Sequence, residues 1–364
     1  MPTRHKLNKL TIRGFYSIQW LEDFELNDLN LLIGPNGSGK SNFVAFFKML
    51  GELAEQRLAV WVNAQGGADR IVSFGVKQTN QLSAMLWFGR NGYEFTLLPT
   101  VDSRLIFREE WLHFDDGSPI QIGVGHDESR LAEERVPGEW RRADYVYDSI
   151  SSWKVYHFHD TSDSAGVKRP GSIDDNQHLR TDASNLAAYL LRLRRTYPDV
   201  YKQVRRTVQL ALPFFGDFVL RPQPDRAGNE LVRLNWRHEG SDYPMWPSQL
   251  SDGALRFVCL TTALLQPDPP STLIIDEPEL GLHPYAIRLL GSLIRSASKR
   301  MQVIVSTQSV PLVDEFELSD LIVVERDHGA SVFNRLDVNE LKHWLDDYTL
   351  GELWEKNILG GRPR

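Results

Sequence analysis

The 364-residue sequence contains a single cysteine, Cys259. A lone thiol excludes an intramolecular disulfide, and its place beside Phe257, Val258 and Leu260 reads as a helix interior, where cysteine serves as a small hydrophobe. Long apolar runs are missing as well: no window approaches the roughly 18 uninterrupted apolar residues of a membrane span. The opening MPTRHKLNKL also lacks the apolar core of a secretory signal. The expectation is a cytoplasmic protein with no membrane partner. Positive charge is in short supply, with 41 Lys and Arg against 48 Asp and Glu and a net charge of −7. The overall field therefore repels phosphates, and any nucleic-acid contact must come from a local basic patch. Sustained heptads and internal repeats are absent, which excludes a long coiled-coil arm. No Cys/His spacing suits zinc, because His157 and His159 alone are too few ligands.

What the sequence does contain begins with an apolar run, LNLLI, that feeds directly into Gly34-Pro35-Asn36-Gly37-Ser38-Gly39-Lys40-Ser41. After it, Phe43, Phe46, Phe47, Leu50 and Leu53 recur at helical spacing, the stripe of a helix packed on a sheet. Strand, loop and helix supply the context that the pattern G-x-x-x-x-G-K-[ST] requires. In such a loop the glycines let backbone N–H groups curl around phosphates, a lysine such as Lys40 reaches the β and γ oxygens, and a hydroxyl such as that of Ser41 can ligate Mg²⁺.

Between about residues 66 and 246 the character changes. Short β-like runs (SAMLWFG, YEFTLL, RLIFREEWL, VYHFHD) alternate with Gly, Asp, Ser and Pro clusters, which suggests an inserted lobe. Within it, residues 183–211 read as a basic helix carrying Arg192, Arg194, Arg195, Lys202, Arg205 and Arg206 beside Leu186, Leu190, Leu193 and Val204. Residues 218–237 read as a hairpin turned at DRAGN. From Ser248 onward helix and strand signals alternate, and the Val/Ile-rich strands TLIID, QVIVST and DLIVVER describe a parallel sheet. The expected segments are 1–65 and 247–336 as two halves of one nucleotide-binding α/β domain, 66–246 as an inserted mixed α+β lobe, and 337–364 as a helical tail.

The strand LIID ends in Asp276-Glu277, where Asp276 would hold Mg²⁺ through water and Glu277 would polarise an attacking water. Upstream, Gln249-Leu250-Ser251-Asp252-Gly253-Ala254-Leu255-Arg256 resembles the LSGGQ-like signature of ATP-binding-cassette proteins. The resemblance implies that Ser251 and Gly253, at a helix start, contact the γ-phosphate of ATP held by another subunit. By itself, Ser251 is equally an ordinary N-cap. Glu279-Leu280-Gly281-Leu282-His283-Pro284 looks like the D-loop that follows in that family. Where the family usually has a switch histidine, Gln308 stands instead; an amide can hydrogen-bond a phosphate but cannot shuttle a proton, so slow hydrolysis is expected. His159 or Asp160 stands where a metal-facing glutamine would be, or else marks a lobe hinge with two solvated polar residues.

The opening LNKLTIRGFYSIQWLEDFEL followed by LNLLIGPNGSGKSN is similar to the start of RecF, SMC and OLD-like ATPases. WKVYHFHDTS, LSDGALRFVCLTTALL, IIDEPELGLHP and DDYTLGELWEKNILGG together resemble the stand-alone RecF-like group of bacterial AAA-labelled ATPases. That resemblance implies a P-loop ATPase of the ABC type and a homodimer with ATP–Mg²⁺ between its subunits. It also implies DNA or a DNA-processing protein as partner; the alternative reading is an ATP-gated scaffold that docks a separate effector protein such as a nuclease without binding DNA itself. Genome maintenance or antiviral defence would be the setting, and the short tail leaves no room for a fused TOPRIM-type nuclease.

Overall fold

Continuous apolar runs become the interior strands of a parallel sheet, as their lack of alternation requires. From one edge the strands run Ala330–Arg335, Leu321–Asp327, Leu29–Ile33, Gln302–Thr307 and Thr272–Asp276, the first pair antiparallel and the others parallel. Every residue of Leu29–Ile33 and of Gln302–Thr307 is buried. One polar residue within these strands, Gln302, ties the sheet to neighbouring segments. Gln302 donates from Nε2 to the carbonyls of Leu7 and Asn27 at 2.8 and 3.0 Å, and its Oε1 accepts from Thr272 Oγ1 at 3.0 Å. The helix Lys40–Ala54 buries Phe43, Phe46, Phe47, Leu50 and Leu53, the stripe read from spacing. Truncating one of these, such as Phe47 to Ala, costs about 3–5 kcal/mol.

This computed structural model describes residues 5–115, 117–135 and 142–361. The first four residues of the opening MPTRHKLNKL, and the last three of the tail, lie outside the described residues. By contact the chain divides into two compact units. The first holds Met1–Val155, Pro270–Asp276 and Met301–Arg364, and the second Tyr156–Pro269 and Glu277–Arg300.

This division differs from the segments expected from sequence. Strands Leu82–Phe88, Asn91–Pro99, Leu105–Phe114 and Gly117–Gly123 do not belong to an inserted lobe. They extend the antiparallel sheet begun by Lys9–Phe15 and Ile18–Glu25, with Leu10 opposite Leu86 and Ile12 opposite Ala84. Alternation announced these strands, but their partner lies over 70 residues away and local pattern cannot name it. Glu110, fully buried in this sheet, accepts from Tyr93 Oη at 2.6 Å and from the Arg130 N–H at 2.9 Å, and it also pairs with His126 Nε2 at 2.9 Å.

In the second unit the expected single basic helix is two, Leu186–Thr196 and Pro198–Ala211. Pro198, at the first position of the second helix, lacks the N–H that would continue the first. Leu186, Leu190, Leu193 and Val204 are buried as their spacing required. The residues around DRAGN do form antiparallel pairs, Gln223 with Leu231 and Phe218 with Trp236. Helices Asp252–Leu265 and Pro284–Ser298 complete this unit, and Cys259 is buried in the first of them. Among the described residues no helix is long and apolar enough to cross a membrane.

Candidate functional site

In a parallel sheet, ligands gather beyond the carboxyl ends of the strands. Thr307 is the register partner of Ile33, and Asp276 that of Ser306. The loop after Ile33, the carboxylate of Asp276 and the segment after Thr307 that opens with Gln308 therefore leave the sheet at one edge. The strand ending at Thr307 lies between the other two, which spaces Asp276 from the loop by about 10 Å, two interstrand intervals.

The loop has the backbone its glycines permit. Gly37 and Gly39 have φ of +76° and +115°, and Gly39 presses against Ser331 so closely that a Cβ there would collide with the serine side chain. Lys40 Nζ donates to the carbonyls of Gly34 and Pro35 at 2.6 and 3.0 Å, closing the loop on itself. No side chain caps the helix Lys40–Ala54, so its first-turn N–H groups and positive dipole end are available to an anion. Other elements brace the loop. Arg326 Nε donates to the Gly37 carbonyl at 2.8 Å, Ser331 Oγ donates to the Ser38 carbonyl at 2.5 Å, and Asn42 Nδ2 donates to Ser17 Oγ at 2.6 Å. Sequence reasoning missed Ser17, Arg326 and Ser331, because their link to the loop exists only once distant strands pair.

Asp276 Oδ1, Ser306 Oγ and Ser38 Oγ are buried without hydrogen-bond partners among the described residues. Open acceptors of this kind at a strand end, like the Ser41 hydroxyl at the start of the helix, are oxygen donors of the type that suits a Mg²⁺ keeping most of its contacts to water and phosphate. Among the described residues no cluster of three or more His, Cys, Asp or Glu could hold a metal by itself. A cavity of about 450 Å³ opens against the loop, lined by Gly34, Pro35, Asn36 and Gln308 and, from the tail, by Trp354, Glu355 and Gly361.

Glu277 opens the second segment of the second unit and has φ of +46°, a left-handed conformation that a non-glycine residue adopts at a cost. Within this unit Ser251 caps the helix Asp252–Leu265, its Oγ accepting from the Ala254 N–H at 3.2 Å. The cap uses the oxygen as acceptor and leaves the hydroxyl proton for another partner. Gly253 lies against the Gly281 carbonyl, leaving no room for a Cβ. Arg256, almost fully buried, donates Nε to the Phe158 carbonyl at 2.9 Å and Nη1 to the Leu280 carbonyl. It thereby joins the capped helix to both flanking loops, a function that an arginine in a helical run does not announce. Asp160 is exposed, and two hydrogen bonds from Ser162 hold its carboxyl below the usual range.

The model of a protein family described as "AAA domain, putative AbiEii toxin, Type IV TA system" matches residues 29–315. The chain belongs to this family. Its fold is that of a P-loop ATPase of the ABC and SMC type. An SMC head bound to the C-terminal winged-helix domain of ScpA superposes with a TM-score of 0.59 at 15% identity, covering 93% of this chain and 99% of that one. The Pyrococcus furiosus Smc head, with an extended coiled coil and bound to the C-terminal domain of ScpA, gives 0.58 at 14%, covering 94% and 99%. At such identities the likeness is one of fold. No curated protein matches the sequence. Membership of the AAA-domain family agrees with the P-loop ATPase expected from the phosphate-loop pattern.

Proposed function

We propose that the protein is an ATP-dependent dimeric switch that binds ATP–Mg²⁺ and hydrolyses it slowly. The observation that carries this reading is the strand register, which delivers the phosphate loop, Asp276 and Gln308 to one edge of the sheet. Gly34, Pro35, Asn36, Gly37, Ser38 and Gly39 form the cradle for the phosphates, and Lys40 exchanges its loop carbonyls for β and γ oxygens. Ser41 and Asp276 would hold Mg²⁺, which would supply charge neutralisation to the phosphates. Glu277 orients and deprotonates the attacking water, and Gln308 hydrogen-bonds the terminal phosphate. Ser251 and Gly253 serve the nucleotide of a second copy, with the Ser251 hydroxyl donating to the γ-phosphate.

Such a switch, residing in the cytoplasm, passes its ATP state to a partner, either DNA or a DNA-processing protein. The second reading, an ATP-gated scaffold for a separate effector protein, gains from the fate of the basic helices. Arg192 donates to the Gln177 carbonyl at 2.8 Å and Arg194 to that of Leu220 at 2.9 Å, while Arg205 pairs with Asp217 at 3.3 Å. Arg195 and Arg206 remain exposed for a phosphate backbone. Replacing both with Glu abolishes a salt-sensitive DNA shift on the first reading, and unaltered DNA binding by that variant moves the contact elsewhere. Dimerisation is tested by sedimentation of Glu277→Gln with ATP: ATP-dependent dimers are expected, and a monomer at saturating ATP refutes the switch.

A further inference from the structure

The motif DDYTLGELWEKNILGG takes no part in the roles above, yet it folds against the same strand edge. Thr349 starts the helix Leu350–Glu355 with a reciprocal cap, its N–H donating to Glu352 Oε2 at 2.9 Å and its Oγ1 accepting from the Glu352 N–H at 3.2 Å. The helix buries Leu350, Gly351, Leu353 and Trp354 and packs on Val310–Val313, a single helical turn that begins two residues after Gln308. Contact is intimate at Gly351. Its N–H donates to Asp314 Oδ1 at 2.6 Å, and a Cβ there would stand 2.6 Å from Val310 Cγ1. The chain then turns through Gly360 and Gly361, with φ of +82° and +77°, and the Gly361 N–H donates to Glu325 Oε1 at 2.7 Å. A Cβ on Gly361 would lie 3.5 Å from Gly34 Cα, so this turn lies beside the first residue of the phosphate loop.

A turn of four residues has no stability of its own and takes its position from whatever packs on it. Here that is the tail, and Trp354 lines the same cavity as Gln308. Lys40 and its loop are braced separately, by Ser17, Arg326 and Ser331.

We propose that the C-terminal tail is a positioning element of the nucleotide site: Trp354 and the Gly351–Asp314 hydrogen bond fix the turn after Gln308 and so aim its amide at the terminal phosphate. The proposal rests on the role given to Gln308 above. Binding and turnover then depend on different supports, and loss of the tail contact acts on turnover alone.

The test uses the full chain and a double-mutant cycle. Trp354→Ala should lower kcat by roughly tenfold to a hundredfold, the effect of a misplacement of about 1 Å, and Asp314→Ala, whose side chain does not line the cavity, should do so while ATP affinity stays within about threefold. Trp354→Phe should recover most of the rate, and Gln308→Ala should cost nothing further in the Trp354→Ala background. Asp314→Ala, which removes only the acceptor for Gly351, should reproduce the pattern and serves where Trp354→Ala does not fold. Additive losses, an unchanged kcat, or affinity falling in step with kcat in Asp314→Ala overturns the proposal. Where the wild type binds ATP without turning it over, the hydrolysis reading fails, and the tail is judged by amide exchange at residues 308–313. A non-hydrolysable ATP analogue should then protect these amides in the wild type and not in Trp354→Ala, and equal protection in both overturns it. A wild type that does not bind ATP refutes the nucleotide reading and this proposal together.

Discussion

Asp276 and Ser306 stand opposite each other on adjacent parallel strands, and each carries a buried side-chain oxygen that has no hydrogen-bond partner among the described residues. Two such acceptors side by side at a strand end suit the hydrated cation proposed above, and leaving them unmet costs about 1–3 kcal/mol each. Asp276→Asn keeps the shape and removes the charge. Turnover at saturating ATP should fall at least about tenfold and the Mg²⁺ concentration for half-maximal rate should rise, as measured by magnesium titration. A wild-type titration curve in that variant would place the metal on other residues.

Lys40 bonds to Gly34 and Pro35 within its own loop. Lys40→Ala should leave the fold intact and weaken ATP binding by about 2–5 kcal/mol, the usual cost of removing one member of a close charge pair. Calorimetric titration of the folded variant measures it. Unchanged affinity would remove the loop from the nucleotide site.

Glu277→Gln preserves size and hydrogen bonding and removes only the carboxylate. Turnover should drop by about a hundredfold or more while ATP still binds, the scale of a general-base contribution. Phosphate release in single-turnover kinetics distinguishes this outcome from loss of binding. A variant that hydrolyses at the wild-type rate would shift the base to another residue.

Gln308→His installs the imidazole that cassette ATPases usually carry at this point. If the amide is what slows hydrolysis, kcat rises with little change in ATP affinity. A rate equal to or below wild type would make Gln308 the competent group already.

Burial pushes the Cys259 thiol up to about 12. At pH 8 the folded protein therefore presents no thiolate, and a thiol reagent should modify Cys259 only after unfolding. The sign for stability follows from the raised value. Its contribution is fully present below the unfolded pKa, about 8.5, and is lost as pH rises through that of the folded state. Rapid labelling of native protein at pH 8 would contradict the buried placement.

The strand, loop and helix around Lys40 were legible because their signal is local: an apolar run, a glycine pattern and a helical stripe that the structure buries at Phe43, Phe46, Phe47, Leu50 and Leu53. The parallel sheet was legible as a class, since buried strands such as QVIVST read as uninterrupted apolar text. Strand order was not, because pairing between residues 29–33 and 302–323 leaves no trace in either segment. The same limit made residues 82–123 look like an insertion. Pro198 was a readable break that the surrounding leucine periodicity obscured. Arg256 and Ser331 look like ordinary helix and strand residues, and only three-dimensional contact turns them into supports.

The bracing of the phosphate loop also bears on how the protein is made. The loop appears in the first forty-one residues, but the strands that flank Leu29–Ile33 start at Gln302 and Leu321, and the side chains that hold the loop include Arg326 and Ser331. A ribosome delivers the chain in order at about 5–20 residues per second. The nascent chain must therefore carry its phosphate-loop segment unanchored for roughly fifteen seconds to a minute, until Arg326 and Ser331 have emerged. ATP has nothing finished to bind during that interval, so nucleotide can stabilise the completed protein but cannot guide its early folding.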